Sequence, residues 1–250
     1  MSSGICYSSS QEIFRSILMK IGILQPGRLG DIIICLPIAK YYADQGFEVV
    51  WPMFESAAMM VRDVVDYPLT IIPVTEDVYR TVEEARQELL KEKVNRILDL
   101  AATFPGSTCT EEYVKCGDGL GEETFDAFKY RLAGVPLEEK WKLHLYRNYP
   151  KEEVLFNAYA PKKDYVVTSL THSKGTVNLN LDVGDCEIVP MNTNHNIFHW
   201  IKVLEKAKGI VCVESSVSNL VEQLNLPNKK ILIKKPDGRL PVLRGNWKIL

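Results

Sequence analysis

Asp31 is the first side chain in this sequence placed to do chemistry. It closes the stretch Gln25-Pro26-Gly27-Arg28-Leu29-Gly30-Asp31, which lies between two apolar runs at 17–24 and 32–39. A carboxylate there can cap free N–H groups at the start of a helix, or face a ligand. Gly27 and Gly30 can take positive φ and let another molecule approach the backbone. Arg28 offers a planar guanidinium suited to bidentate contact with phosphate or another oxyanion.

A second cluster follows about 180 residues later, in the run Glu214-Ser215-Ser216-Val217-Ser218-Asn219. Three hydroxyls at the opening of a helix combine with unpaired N–H groups and a partial positive charge. Such a terminus suits a phosphate or diphosphate. Capping of the same helix is the plainer use of these serines, and the two uses are compatible. Glu214 can bind sugar hydroxyls or simply face solvent. A third group, Thr171-His172-Ser173-Lys174-Gly175, follows a strand. Ser173 can hydrogen-bond a phosphate there and Lys174 can neutralise it, unless the segment is only an exposed polar turn.

Several common chemistries are excluded by spacing. The first cluster reads G-x-x-G-D, neither a dinucleotide fingerprint nor a P-loop, and no G-K-[ST] follows. Six cysteines at 6, 35, 109, 116, 186 and 212 contain no C-x-x-C pair, so zinc is not expected. Cys35 and Cys212 lie in apolar runs and read as buried thiols; Cys109 and Cys116 can pair, but nothing requires it. His144, His172, His195 and His199 lack metal-ligand spacing, and Asp182-Val-Gly-Asp185 has the wrong spacing for a D-x-D metal site.

The elements that position these residues are read from periodicity. Residues 17–24 read as a strand, and the run from 32 opens a helix. Strands are expected at 47–51, 69–74 and 94–100, with helices at 56–65, 75–93 and 122–133. The second half repeats the pattern. Strands are expected at 164–170, 186–191, 209–213 and 229–234, with helices at 197–208 and 217–225 and an alternating run at 176–181. This is the grammar of parallel α/β sheets, whose ligands bind at the carboxyl ends of the strands. The irregular stretch 101–121 follows one such end and can line the same cleft. Charge, prolines and weak periodicity between 136 and 161 place a domain boundary near 150, giving units 1–150 and 151–250. Residues 1–12 are expected to be disordered.

The chain has 250 residues, 46% hydrophobic and 25% charged, with a net charge of −2. These proportions suit a globular protein, with no overall cationic field for DNA or acidic membranes. No apolar run approaches the roughly 18 residues of a spanning helix. The serine-rich N-terminus does not read as a signal peptide, so a reducing cytoplasm is expected. Residues 228–250 carry seven Lys and Arg, at 229, 230, 234, 235, 239, 244 and 248, against Asp237 alone. That run is a solvated face or a contact for a phosphate-rich partner; Gly238, Pro241 and Gly245 argue against a regular element in it.

Arg28-Leu29-Gly30-Asp31, followed by Ile-Ile-Ile-Cys-Leu-Pro, resembles the opening of the heptosyltransferase-like glycosyltransferases. The segment from Ala207 through Glu214 and Ser215 to Leu220 and Pro227 resembles their donor-binding segment. Here Glu214, Ser216 and Asn219 stand where the family has Asp, Gly and His. The two segments cover about a fifth of the chain, in the family's order. The resemblance implies a GT-B fold of two Rossmann-like domains facing a cleft, with the acceptor held by the N-terminal half and a nucleotide sugar by the C-terminal half. It implies inverting transfer to an acceptor hydroxyl, with Asp31 as general base, without a metal or other cofactor. Glu214, Ser215, Ser216, Ser218, Ser173 and Lys174 would hold the donor. Arg28, Gly27, Gly30 and Asn219 would contact acceptor or phosphate. The acceptor would be a glycan or another hydroxyl compound; hydroxymethylated bases in DNA are possible but not favoured by the charge. The alternatives are a non-catalytic nucleotide- or sugar-phosphate-binding module and, more weakly, a nucleotide-dependent oxidoreductase.

Overall fold

The computed structural model describes residues 19–112, 123–172, 175–235 and 240–250. Ser173, Lys174, Cys6, Cys116 and the expected disordered arm at 1–12 lie outside them.

Two parallel sheets organise the chain. The first has the order β3-β2-β1-β4, from β1 (Lys20–Leu24), β2 (Glu48–Phe54), β3 (Leu69–Val74) and β4 (Arg96–Asp99). Helices α1 (Leu29–Asp44), α2 (Glu55–Arg62) and α3 (Thr81–Lys91) make its crossovers. Helices α4 (Phe125–Ala133) and α5 (Tyr149–Tyr159), with a 3-10 turn at Leu137–Trp141 between them, lead to the second sheet. Its strands are β5 (Tyr165–Ser169), β8 (Glu187–Pro190), β9 (Gly209–Val213), β10 (Lys229–Ile233) and β11 (Trp247–Ile249), in the order β11-β10-β9-β5-β8. A small hairpin pairs β6 (Thr171–His172) with β7 (Gly175–Thr176). A 3-10 turn at Ile197–Trp200 runs into the short α6 (Ile201–Lys206), and α7 (Ser216–Gln223) joins β9 to β10. Among the described residues no helix is long and apolar enough to cross a membrane.

The core explains the packing. Residues 32–39 of α1 are all buried, so this helix is covered on every side rather than amphipathic. It lies against its own sheet and against α7, whose Val217, Leu220 and Val221 belong to the same apolar cluster. Tyr130 and Tyr42 tie α4 to α1 through hydrogen bonds donated to the Ile34 and Ala133 carbonyls.

The structure corrects several expectations. Neither Gly27 nor Gly30 has a positive φ; that conformation falls on Arg28, at 59°. Asp31 is not the cap of α1. Arg28 occupies that position, and no side chain caps the helix there. Helix α3 begins at Thr81 rather than 75, because Asp77 accepts the Tyr79 N–H (3.0 Å) and turns the chain first. The helix expected over 197–208 is split into a 3-10 turn and α6. The alternating run at 176–181 has no strand beyond Thr176.

The C-terminal tail, read as irregular, forms a strand. Gly245 turns at φ 83°, after which Trp247–Ile249 pairs in parallel with β10. The tail also returns to the first half. Val242 donates its N–H to the Asp126 carboxylate of α4, and its carbonyl accepts from the Lys140 ammonium, both side chains being fully buried. Buried Glu222 of α7 accepts hydrogen bonds from the Trp141 and Trp247 indoles and the Arg244 backbone. The Arg244 guanidinium lies over the Trp141 ring, 3.7 Å from its centroid.

Candidate functional site

The two sequence clusters meet in space. Each sits where a strand ends and a helix begins: β1 into α1, and β9 into α7. The Asn219 side-chain amide donates to the Gly30 carbonyl (3.3 Å). A Cβ on Gly30 would lie 3.1 Å from that amide nitrogen and 3.4 Å from Ser216 Cα. Gly30 therefore answers a close approach between two helix starts. Gly27 answers another, since a Cβ there would lie 2.3 Å from the Phe54 ring.

Asp31 lies in the first turn of α1, buried at 7% exposure. Its Oδ1 is 3.7 Å from the ammonium of Lys129, itself fully buried. Burial pushes the Asp31 carboxyl above its ordinary range; the positive charges of Lys129 and Arg28 oppose this without cancelling it. Lys129 also donates to Gln25 Oε1 and the Leu100 carbonyl. Gln25, fully buried, donates to the Gly27 carbonyl (3.0 Å). The glycine turn, the β4 end and Asp31 thus share one buried cation. Sequence reading missed Lys129 and Gln25. A signal existed: Lys129 lies four residues from Phe125 and from Ala133, on one helix stripe with apolar neighbours.

Arg28 is exposed, with its guanidinium 5.3 Å from the centroid of the Phe104 ring. Phe104 comes from the segment after β4, which was expected to line the cleft. Asp99 organises that segment, accepting from Thr108 N (2.8 Å), Thr108 Oγ1 (2.7 Å) and Ser107 Oγ (2.8 Å). Burial alone would raise the Asp99 carboxyl, but the hydrogen bonds led by Thr108 hold it below its ordinary range.

On the other side, Ser218 is occupied with capping. Its hydroxyl accepts the Ser215 N–H (2.9 Å) and donates to the Ser215 carbonyl (2.8 Å). Ser215 Oγ and Glu214 Oε2 are buried and have no hydrogen-bond partner among the described residues. Burial raises the Glu214 carboxyl; Lys235 and Lys234 oppose the rise. Those two lysines, read as part of the basic tail, therefore contribute positive charge beside the α7 start. The arrangement offers a buried carboxylate with heightened proton affinity across from a helix terminus, the Ser215 hydroxyl and two lysines.

No protein-family model matches the chain, and no curated protein does. Solved structures share its architecture. A glycosyl transferase family 9 protein from Veillonella parvula DSM 2008 is 8% identical over 93% of this chain and 85% of that one, at a TM-score of 0.56. E. coli ADP-heptose lps heptosyltransferase II is 10% identical over 93% of this chain and 90% of that one, at 0.53. With two parallel sheets and this likeness, the chain has a GT-B-like fold, the architecture of these two solved structures.

Proposed function

We propose that this protein is a glycosyltransferase moving a sugar from a nucleotide-sugar donor to an acceptor hydroxyl. The observation that carries the reading is the facing of the α1 and α7 starts, with the buried Asp31 carboxylate beside Lys129 on one side. In the proposed step, Asp31 takes the acceptor hydroxyl proton as the new C1–O bond forms and the bond from C1 to the diphosphate breaks. Negative charge then grows on the leaving diphosphate. The N–H groups of the α7 start, Ser215, and Lys234 and Lys235 meet it where it develops. Ser173 and Lys174 belong to the same donor side in this reading, and Arg28 to the acceptor side. Transfer is inverting, without metal. The donor to test first is an ADP-sugar, from the name of the E. coli heptosyltransferase II.

The test is a transfer assay with ADP-sugars and then other nucleotide sugars, in the presence of EDTA, with the product anomer read by NMR. Asp31→Asn should slow transfer by about 10²–10⁴-fold while nucleotide diphosphates still raise the melting temperature. Turnover near the unmutated rate in Asp31→Asn removes it as the base, and stabilisation by NAD(P) alone overturns the reading.

A non-catalytic nucleotide- or sugar-phosphate-binding module is the second reading. The direct Asn219–Gly30 contact, which occupies space between the two turns, favours it. Nucleotide binding without transfer or donor hydrolysis selects this alternative. A DNA acceptor is disfavoured, because part of the basic tail is turned inward: Lys230 is 3% exposed and Arg244 stacks on Trp141.

A further inference from the structure

A hollow of about 330 Å³ lies between α5 and the 195–199 turn, lined by Pro150, Lys151, Val154, Leu155, His195 and His199. None of the candidate-site residues lines it. Asp63, after α2, pairs with two of these lining residues, with one carboxylate oxygen 2.6 Å from Lys151 Nζ and 3.4 Å from His199 Nε2. His199 is 8% exposed, and its Nε2 makes no hydrogen bond among the described residues. The Asn196 side chain donates to the Met60 carbonyl (3.1 Å), so the turn is anchored to the first half. His195 is oriented by the Tyr159 hydroxyl, 3.1 Å from its Nε2.

The polar edge is electrically balanced. Lys151 and Asp63 compensate each other, leaving no net charge to hold an ion. Burial lowers the His199 pKa, with Lys151 adding to the effect, which favours a neutral imidazole. Among the described residues no three His, Cys, Asp or Glu side chains converge as a metal site. What remains is a set of donors and acceptors side by side: an ammonium, a carboxylate and an imidazole nitrogen, facing an aliphatic wall. A hydroxyl can donate to Asp63 and accept from Lys151 at once, beside the His199 ring that lines the hollow. Pro150, Val154 and Leu155 suit the C–H face of a ring. The volume falls at the low end of small-ligand pockets.

We propose that this hollow is a binding subsite for one ring of a neutral saccharide, distinct from the α1–α7 juncture and independent of chemistry at Asp31. The test is NMR titration of the histidine ring resonances of the full chain. The probes are methyl glycosides of glucose, galactose, mannose and N-acetylglucosamine, with benzoate and glycerol as controls. At least one glycoside should shift the His199 resonance saturably at millimolar concentration. Val154→Glu, at a side chain 67% exposed, should weaken that binding at least about tenfold without changing the melting temperature. Lys151→Ala should weaken it similarly, and Asp31→Asn should leave it intact. No shift from any glycoside at tens of millimolar overturns the proposal, as does a shift from benzoate or glycerol alone. Saccharide binding without any transferase activity would uphold this subsite and defeat the catalytic reading; transfer with no response at His199 would do the reverse.

Discussion

Lys129→Met keeps the reach of the side chain and removes its charge from beside Asp31. At 3.7 Å and an effective dielectric of about 20, the lost attraction is about 4.5 kcal/mol. That agrees with the roughly 3–5 kcal/mol lost when one partner of a buried pair is removed. The same loss removes the main charge that opposes burial, so it drives further upward a carboxyl that burial already raises. The sign follows from linkage. A carboxyl whose folded pKa exceeds its unfolded value binds more protons when folded, so stability falls as pH rises from about 4 toward the folded pKa. The variant should therefore be moderately destabilised at pH near 4.5, through lost hydrogen bonds to Gln25 and Leu100, and far more so at neutral pH. Urea unfolding of both proteins across this range measures the gap. Asp31→Asn added to Lys129→Met should flatten it. A pH-independent gap, or one that survives in the double variant, would refute the claim that Lys129 acts through Asp31.

Other outcomes follow from the same geometry. If Asp31 is the base, Asp31→Asn should slow transfer by about 10²–10⁴-fold while leaving the nucleotide-dependent thermal shift unchanged, as read by single-turnover kinetics and calorimetry. Gly27→Ala drives a methyl group into the Phe54 ring and should cost about 1–3 kcal/mol; Gly27→Ala combined with Phe54→Leu should recover part of it in denaturant titrations. Glu222→Ala strands the Trp141 and Trp247 indoles and the Arg244 N–H, and should cost about 3 kcal/mol or more with altered tryptophan fluorescence in the folded state. Burial pushes the Cys35 and Cys212 thiols up to about 12, so alkylation at pH 8 followed by peptide mapping should label them only after unfolding, whereas half-exposed Cys186 reacts in the native protein.

The sequence by itself determined the local grammar. Apolar runs bounded by glycine and polar turns placed β3 and β9 to the residue and the other major strands to within a few; β9 is buried throughout, as a short continuous apolar run in a parallel sheet should be, while the edge strand β3 buries only Val74. It also marked the two strand-to-helix turns that meet at the candidate site, since helix starts carry small, polar residues for local reasons. Tertiary structure decided what those residues face. Gly30 reads as a turn glycine until Asn219 and Ser216 arrive from the other half, and Asp31 reads as a cap until the fold places it in the first turn with Lys129 beside it. Lys129 stands about 100 positions away and looks like a surface lysine; only the docking of α4 against α1 and the β4 end removes it from water. The tail looked unstructured because its glycines and proline are poor strand formers. Glu222, Asp126 and Lys140 supply the partners that hold it, and these partners are distant in sequence. Periodicity records how a segment folds against its nearest layer. Which charges become buried together depends on how layers meet, and no local pattern encodes that.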